Sequence, residues 1–319
     1  MTTAPQLDSV SARCPIAILG SGVWGSALGA LAKTKGQEVR IWSRRGTLTL
    51  DAAVAGTKVV VVAIAMTGIQ EVADRLQSAA LPPNTILVSA TKGLDAATGK
   101  TPSQIWKSAF PDHPVVVLSG PNLSIEIGQG LPTATVVASE DGAAAQVVQQ
   151  IFSSESFRVY TNADRLGTEL GGTLKNVMAI AVGVCDGLHL GQNARAALIT
   201  RALPEMIRVG VRMGAEVETF YGLSGLGDLL ATCTSPLSRN YQVGYQLAQG
   251  TPLETVLSHL QGTAEGVNTT HVLIELAAEK QIAVPITQQV HRLLEGEITP
   301  REAVEALMER QLKPESPAL

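Results

Sequence analysis

The sequence predicts an α/β fold: an open, largely parallel sheet in the first half, followed by a second, all-α domain. Three observations carry this. Short apolar runs alternate with helical stretches as far as about residue 161, and runs such as Val59–Val62 are continuous, which suits strands covered on both faces. Beyond that point the strand signal stops and only helical periodicity remains. A chain of 319 residues also exceeds the usual single-domain size, so two domains are expected, 1–160 and 161–319.

The first strand, 15–19, runs into Gly20-Ser21-Gly22-Val23-Trp24-Gly25 and then a helical stretch over 26–35. Each glycine has its own use. Gly20 permits the tight turn, Gly22 lets backbone approach a diphosphate, and Gly25 lets helix and strand pack closely. The free N–H groups and positive dipole of the helix start favour an anion. A glycine triplet alone is weak evidence. Here it follows the first strand and opens a helix, and a second strand at 38–42 comes next, so the segment reads as the phosphate cradle of a Rossmann-like dinucleotide-binding domain.

After the second strand, a domain that prefers NAD usually carries an acid about 20 residues beyond the glycine loop to bond the ribose. This chain has Ser43-Arg44-Arg45. Two guanidinium forks suit a ribose 2′-phosphate, so NADP(H) is the expected cofactor with NAD(H) as the second choice. A solvated basic turn would look the same.

Further strands are expected at 58–64, 85–90, 115–118, 133–138 and 157–160, with helices over 69–79, 101–109 and 142–152. Two strand ends carry chemistry, because ligands bind at the carboxyl ends of parallel strands. Ser89-Ala90-Thr91-Lys92-Gly93 places Lys92 to neutralise substrate or cofactor charge, and Ser119-Gly120-Pro121-Asn122 offers backbone and amide donors. The second half predicts helices over 165–185, 194–213, 228–232, 241–249, 253–259, 268–279, 287–296 and 300–311, punctuated by Gly210, Gly214, Gly250 and Gly296.

In the first of these helices, Gly171-Gly172-Thr173-Leu174-Lys175-Asn176 sets a lysine and an amide among small and apolar residues. Lysine is rarely buried without a partner, and burial would lower its pKa toward neutrality, where it can exchange a proton. A lysine snorkelling to water is the plainer alternative. Gly225-Leu226-Gly227-Asp228 places an acid that could serve only as a helix N-cap. Ser238-Arg239-Asn240 groups hydroxyl, guanidinium and amide donors that suit a phosphate monoester, although a surface loop would look similar. Glu265 stands in a glycine turn and alone means little.

Composition narrows the class. Hydrophobic content of 45% with 16% charge fits a globular enzyme, and 3% aromatics leaves the core to Ala, Val, Leu and Ile. A net charge of −4 argues against a nucleic-acid partner. Cys14, Cys185 and Cys233 have no metal-like spacing, and a reduced, cytoplasmic setting is the simplest inference. The five histidines show no metal-ligand pattern, so no metal is expected. No apolar run approaches the ~18 residues of a membrane span, and no signal-peptide pattern precedes the first strand.

Taken in order, the motifs resemble a known family. The glycine loop, Ala-Thr-Lys-Gly at 90–93, Ser-Gly-Pro at 119–121, Leu-Pro-Thr at 131–133 and Ser-Phe-Arg-Val-Tyr at 156–160 are followed by Leu-Lys-Asn-Val at 174–177 and Asp-Gly-Leu at 186–188. Asn-Ala-Arg-Ala-Ala-Leu-Ile-Thr-Arg at 193–201, Gly-Leu-Gly-Asp-Leu at 225–229 and Ser-Arg-Asn at 238–240 complete the series. The order resembles that of bacterial-type NAD(P)-dependent glycerol-3-phosphate dehydrogenases across nearly the whole chain.

The resemblance implies reversible hydride transfer between a nicotinamide and dihydroxyacetone phosphate, giving sn-glycerol 3-phosphate for glycerophospholipid synthesis. It implies Lys175 as the proton-transfer group, with Lys92 and Asp228 beside it. Lys92, Gly120, Asp228, Ser238, Arg239 and Asn240 match substrate positions, and Asn122, Lys175 and Asn176 are expected to bind substrate with them. Ser21, Trp24, Arg44, Arg45, Lys92, Arg239 and Glu265 match cofactor positions beside the glycine loop's own Gly20, Gly22 and Gly25, and Ser124 is expected to join them. A homodimer is expected from base rate and family habit. The chain departs from the family pattern in three places. The segment between Arg45 and Lys58 lacks a helix and loop, Ala65-Met66 replaces Pro-Ser, and Asn122 and Ser124 replace the usual residues after Ser-Gly-Pro. A β-hydroxyacid or 6-phosphogluconate-type dehydrogenase is the second reading, and a catalytically silent NADP(H) sensor the third.

Overall fold

The computed structural model describes residues 15–79, 81–260, 262–312 and 314–315; Cys14 lies outside the described residues. Seven strands form one sheet in the order β2-β1-β3-β4-β5-β6-β7. They are β1 (Ile16–Leu19), β2 (Val39–Trp42), β3 (Val59–Val62), β4 (Ile86–Ser89), β5 (Val115–Ser119), β6 (Thr133–Ala138) and β7 (Phe157–Asn162). Neighbours from β2 through to β5 pair in parallel, with Ile16 opposite both Val39 and Val59.

Strand period explains why β3 can be four valines. Ile16, Ile18, Val59 and Val61 face one core, and Ala17, Leu19, Val60 and Val62 face another on the opposite side. Helices α1 (Val23–Thr34) and α6 (Gly142–Phe152) supply the first core, while α2 (Leu50–Val54), α3 (Ile69–Ser78) and α4 (Pro102–Ala109) supply the second. The sheet is not parallel throughout. β6 runs antiparallel to β5, because the link through α5 (Ser124–Gly128) returns to the end of the strands that it left, and β7 then pairs in parallel with β6.

Past β7 every element is helical: α7 (Arg165–Gly187), α8 (Gly191–Met213), α9 (Val217–Phe220), a π-turn (Leu223–Gly227), α10 (Asp228–Thr234), α11 (Arg239–Ala248), α12 (Leu253–His259), α13 (Glu265–Glu279), α14 (Pro285–Leu294) and α15 (Pro300–Met308). Helix α7 is the axis of this half and is buried on nearly all sides. Its glycines make that possible. A Cβ on Gly172 would stand 2.3 Å from Ser119 Oγ of β5, and one on Gly183 would stand 2.1 Å from the Tyr241 carbonyl of α11. Helix α14 starts where Glu205 of α8 accepts from the Ile286 and Thr287 N–H groups at 2.9 Å, a cap supplied from far along the chain.

The two halves are joined at the carboxyl end of the sheet. Gly93 N–H, just past β4, donates to Thr173 Oγ1 of α7 at 3.1 Å, and Asn268 of α13 donates to the Leu94 carbonyl at 3.0 Å. Leu94 itself sits in the helical core. Glu169 of α7 accepts from Ser89 Oγ at 3.0 Å and from Ser103 N–H at 2.9 Å, so β4 and α4 hang on one buried carboxylate. Burial raises its pKa above the usual carboxylate range. Among the described residues no helix is long and apolar enough to cross a membrane.

Candidate active site

The loop after β4, the middle of α7 and the first turn of α10 meet at one point. Lys175 Nζ donates to Asp228 Oδ1 at 2.7 Å and also to Thr232 Oγ1. Lys92 Nζ donates to Asp228 Oδ2 at 2.5 Å, and Thr232 Oγ1 returns a bond to Asp228 Oδ1 at 3.2 Å. The plainer readings of both charged residues therefore fail. Lys175 does not snorkel, since its side chain is only 8% exposed. Asp228 stands in the first turn of α10, yet its carboxylate bridges two lysines instead of capping the helix.

One carboxylate between two ammonium groups leaves a net positive charge, suited to a phosphorylated or developing anionic ligand. Burial lowers the Lys175 pKa to about 8; Asp228 pulls it upward and Lys92 pushes it further down. Lys92, with 21% of its side chain exposed, is the accessible member of the pair. Cys233 is buried beside this group, and its thiol is pushed up to about 12 by desolvation.

The glycine loop lies at the carboxyl end of β1, next to β3, where the chain's path across the sheet reverses. Gly20 has φ +123°, and a Cβ there would stand 2.2 Å from the Ala63 carbonyl. A Cβ on Gly25 would meet the Gly20 carbonyl at 2.1 Å. Gly22 differs: nothing of the protein lies within 4 Å of its Cβ position. It is also the N-cap of α1 with no side-chain cap, so its neighbours' N–H groups remain available. That open cradle fits a dinucleotide's diphosphate. Ser21 is exposed at its rim, and Trp24 Nε1 donates to the Ala90 carbonyl at 3.1 Å, tying the cradle to the Lys92 loop.

Arg44 and Arg45 lie exposed on the turn after β2, where Gly46 N–H bonds the Ser43 carbonyl. Arg44 Nη1 stands 3.8 Å from Glu71, a loose surface pair that leaves it free to turn to a ligand.

A third group gathers where α7, α11 and α13 meet. Asn240 Oδ1 accepts from Gly266 N–H at 2.9 Å, and Gly266 packs against the Asn176 carbonyl. Asn176 and Asn240 are both buried. Ser238 is the N-cap of α11, accepting from Tyr241 N–H at 3.2 Å, which is a structural use of its hydroxyl. Glu265 is no loop residue but the first residue of α13; its Oε1 accepts from Met66 N–H at 3.4 Å and burial raises its pKa, with Arg239 opposing. The Ala65-Met66 replacement thus presents a backbone donor to the helical half. Gly120 has φ +147° and leads to Asn122, whose Nδ2 donates to Thr135 Oγ1 at 3.0 Å while its buried Oδ1 finds no partner. Ser124 begins α5, a five-residue helix that packs against α1.

A model of the NAD-dependent glycerol-3-phosphate dehydrogenase N-terminus matches residues 15–51 and 45–145, and one of the C-terminus of the same family matches 164–305. The chain belongs to the glycerol-3-phosphate dehydrogenase family. The glycerol-3-phosphate dehydrogenase [NAD(P)+] of Acaryochloris marina is 68% identical over 301 residues, covering 94% of this chain and 97% of the relative. That of Nostoc sp. is 63% identical over 300 residues, covering 94% and 98%. The crystal structure of the Coxiella burnetii glycerol-3-phosphate dehydrogenase superposes with a TM-score of 0.89 at 36% identity, covering 93% of this chain and 99% of that one.

In this member of the glycerol-3-phosphate dehydrogenase family, the N-terminal match falls in two pieces that overlap at 45–51, the stretch where the sequence lacks a helix and loop. What remains there is the short α2, whose N-cap Thr49 accepts from Ala52 N–H at 3.2 Å. Sequence reasoning missed two contributors. Thr232 lies one helical turn after Asp228, a spacing that could have flagged it. Asp186, which accepts from Tyr241 at 2.8 Å and pairs with Arg195 at 3.3 Å, links the ends of α7, α8 and α11 behind Cys233.

Proposed function

We propose that this chain is a glycerol-3-phosphate dehydrogenase that interconverts dihydroxyacetone phosphate and sn-glycerol 3-phosphate, with NADP(H) preferred and NAD(H) accepted. The observation that supports it best is the Lys175–Asp228–Lys92 group, whose Lys92 loop is tied to the open glycine cradle by the Trp24–Ala90 bond. When bound, the nicotinamide supplies or takes the hydride at C2. The chain's own residues do the rest.

In the ketone-reducing direction, Lys175 as ammonium donates its proton to the C2 oxygen as negative charge develops there. In the oxidising direction, neutral Lys175 accepts the proton from the C2 hydroxyl. Asp228 and Thr232 fix its Nζ. Lys92 adds positive charge toward the reacting oxygen at no cost of reorganisation. Arg239 and Asn240, with the Gly120 backbone, Asn122, Asn176 and Ser238, are assigned to the phosphate and hydroxyls of the triose. Gly20, Ser21, Gly22, Trp24 and Gly25 hold the diphosphate, Arg44 and Arg45 the 2′-phosphate, and Ser124 and Glu265 the remaining cofactor contacts.

The division into a dinucleotide domain, 1–160, and a helical domain, 161–319, a cytoplasmic setting and a homodimer complete the reading. Buried Lys175 weighs against a silent NADP(H) sensor, since binding alone does not require a proton donor of lowered pKa. Steady-state oxidation of NADPH and NADH is the test, with dihydroxyacetone phosphate against hydroxyacid oxidation as the contrast. Lys175→Met is expected to lower kcat by about 10²- to 10⁴-fold with cofactor affinity retained. Turnover of hydroxyacids alone, or near-normal turnover by the variant, overturns the assignment.

A further inference from the structure

We propose that the face where α13 meets α14 carries a binding site for a divalent transition-metal cation, zinc foremost, formed by His271, His291 and Glu295. The inference is independent of the dehydrogenase reading, and the histidines alone show no ligand pattern in the sequence, since His271 lies on a different helix from His291.

The packing of α13 on α14 supplies the arrangement. His291 lies in the last turn of α14 and Glu295 is the C-cap of that helix, its N–H bonded to the His291 carbonyl at 2.9 Å, so the two share one face. His271 approaches from α13, with its Nδ1 3.4 Å from Glu295 Oε1 and its ring 5.3 Å from that of His291 at 79°. One donor atom from each of the three lies within 4.8 Å of the other two.

Bonds of about 2.0–2.1 Å at tetrahedral angles put donor atoms about 3.3 Å apart. The His271–Glu295 pair already has that spacing, and His291, half-buried at the same surface with a donor atom within 4.8 Å of both, would close the remaining gap on binding. Two imidazoles and a carboxylate suit borderline cations such as zinc, cobalt or nickel; calcium and magnesium need more oxygen donors than this cluster offers. The partial exposure of His271 and Glu295 leaves the fourth position to water. The cation would tie the helix that begins at Glu265 to the one that follows it.

The test uses the full chain after treatment with chelator, titrated with zinc chloride by calorimetry and with cobalt(II) by absorption. The expected result is one cation per chain with micromolar affinity, weakened by at least about tenfold in His271→Ala and in His291→Ala. Zinc should raise the unfolding temperature of the parent and of neither variant. Both variants should keep basal dehydrogenase activity without metal, which shows that they fold. Absence of saturable binding overturns the proposal. So does affinity unchanged in both variants, or a cobalt spectrum with sulfur-to-metal charge transfer, which would place the cation on a cysteine.

Discussion

The Lys175 pKa of about 8 makes the direction of catalysis depend on pH in a way that can be worked through. At pH 7 about nine-tenths of the free enzyme carries ammonium, and at pH 9 about one-tenth does. The kcat/KM for ketone reduction should therefore fall about tenfold between those values, while glycerol phosphate oxidation rises by a similar factor. Asp228 is the chief group holding the pKa up, at 2.7 Å from Nζ. Removing an opposite charge this close disfavours the ammonium form, so Asp228→Asn should move the alkaline limb of reduction to lower pH, with proton affinity weakened by about tenfold or more. Lys92→Gln removes a like charge and should move the limb the other way. The assay is kcat/KM for dihydroxyacetone phosphate from pH 5.5 to about 10 in a constant-ionic-strength buffer, because this ratio reports the free enzyme. A limb that stays in place in Asp228→Asn, or that shifts in the same direction in both variants, refutes the reasoning.

The glycine loop gives a paired test. Gly22→Ala should leave thermal stability unchanged and raise the cofactor KM by about tenfold or more, since its Cβ meets only the ligand's space, whereas Gly25→Ala should lower stability by about 1–3 kcal/mol. Arg44→Ala with Arg45→Ala should raise the KM for NADPH and leave that for NADH nearly unchanged; equal effects on both would remove the 2′-phosphate assignment. Glu169→Ala should cost about 3 kcal/mol in denaturant unfolding, because Ser89 and Ser103 donors are left buried without an acceptor.

How much of this was legible depended on how local the physics was. The cradle could be read because strand, tight turn and helix follow one another within a few residues. The steric demand at Gly25 comes from Gly20 five residues before it, whereas the Ala63 carbonyl that crowds Gly20 lies just past the end of β3. The strands were legible as continuous apolar runs, since burial on both faces abolishes alternation. Short helices were not. α2, α5 and α9 are four or five residues long and carry too few turns to show a period. Nor was the start of α14, whose cap is Glu205 on another helix.

The charged residues divide in the same way. Side-chain type and placement on an apolar helix marked Lys175, but whether it snorkels or is buried rests on α10 packing against α7. Lys92 and Lys175 reach Asp228 across 136 and 53 residues of chain, and the pKa of about 8 arises only when all three are enclosed together. Local propensity acts over a turn or two of chain. Desolvation and ion pairing act through space, so chemical identity was written in the residue order, whereas protonation behaviour and the His271–His291–Glu295 cluster came from which helices touch.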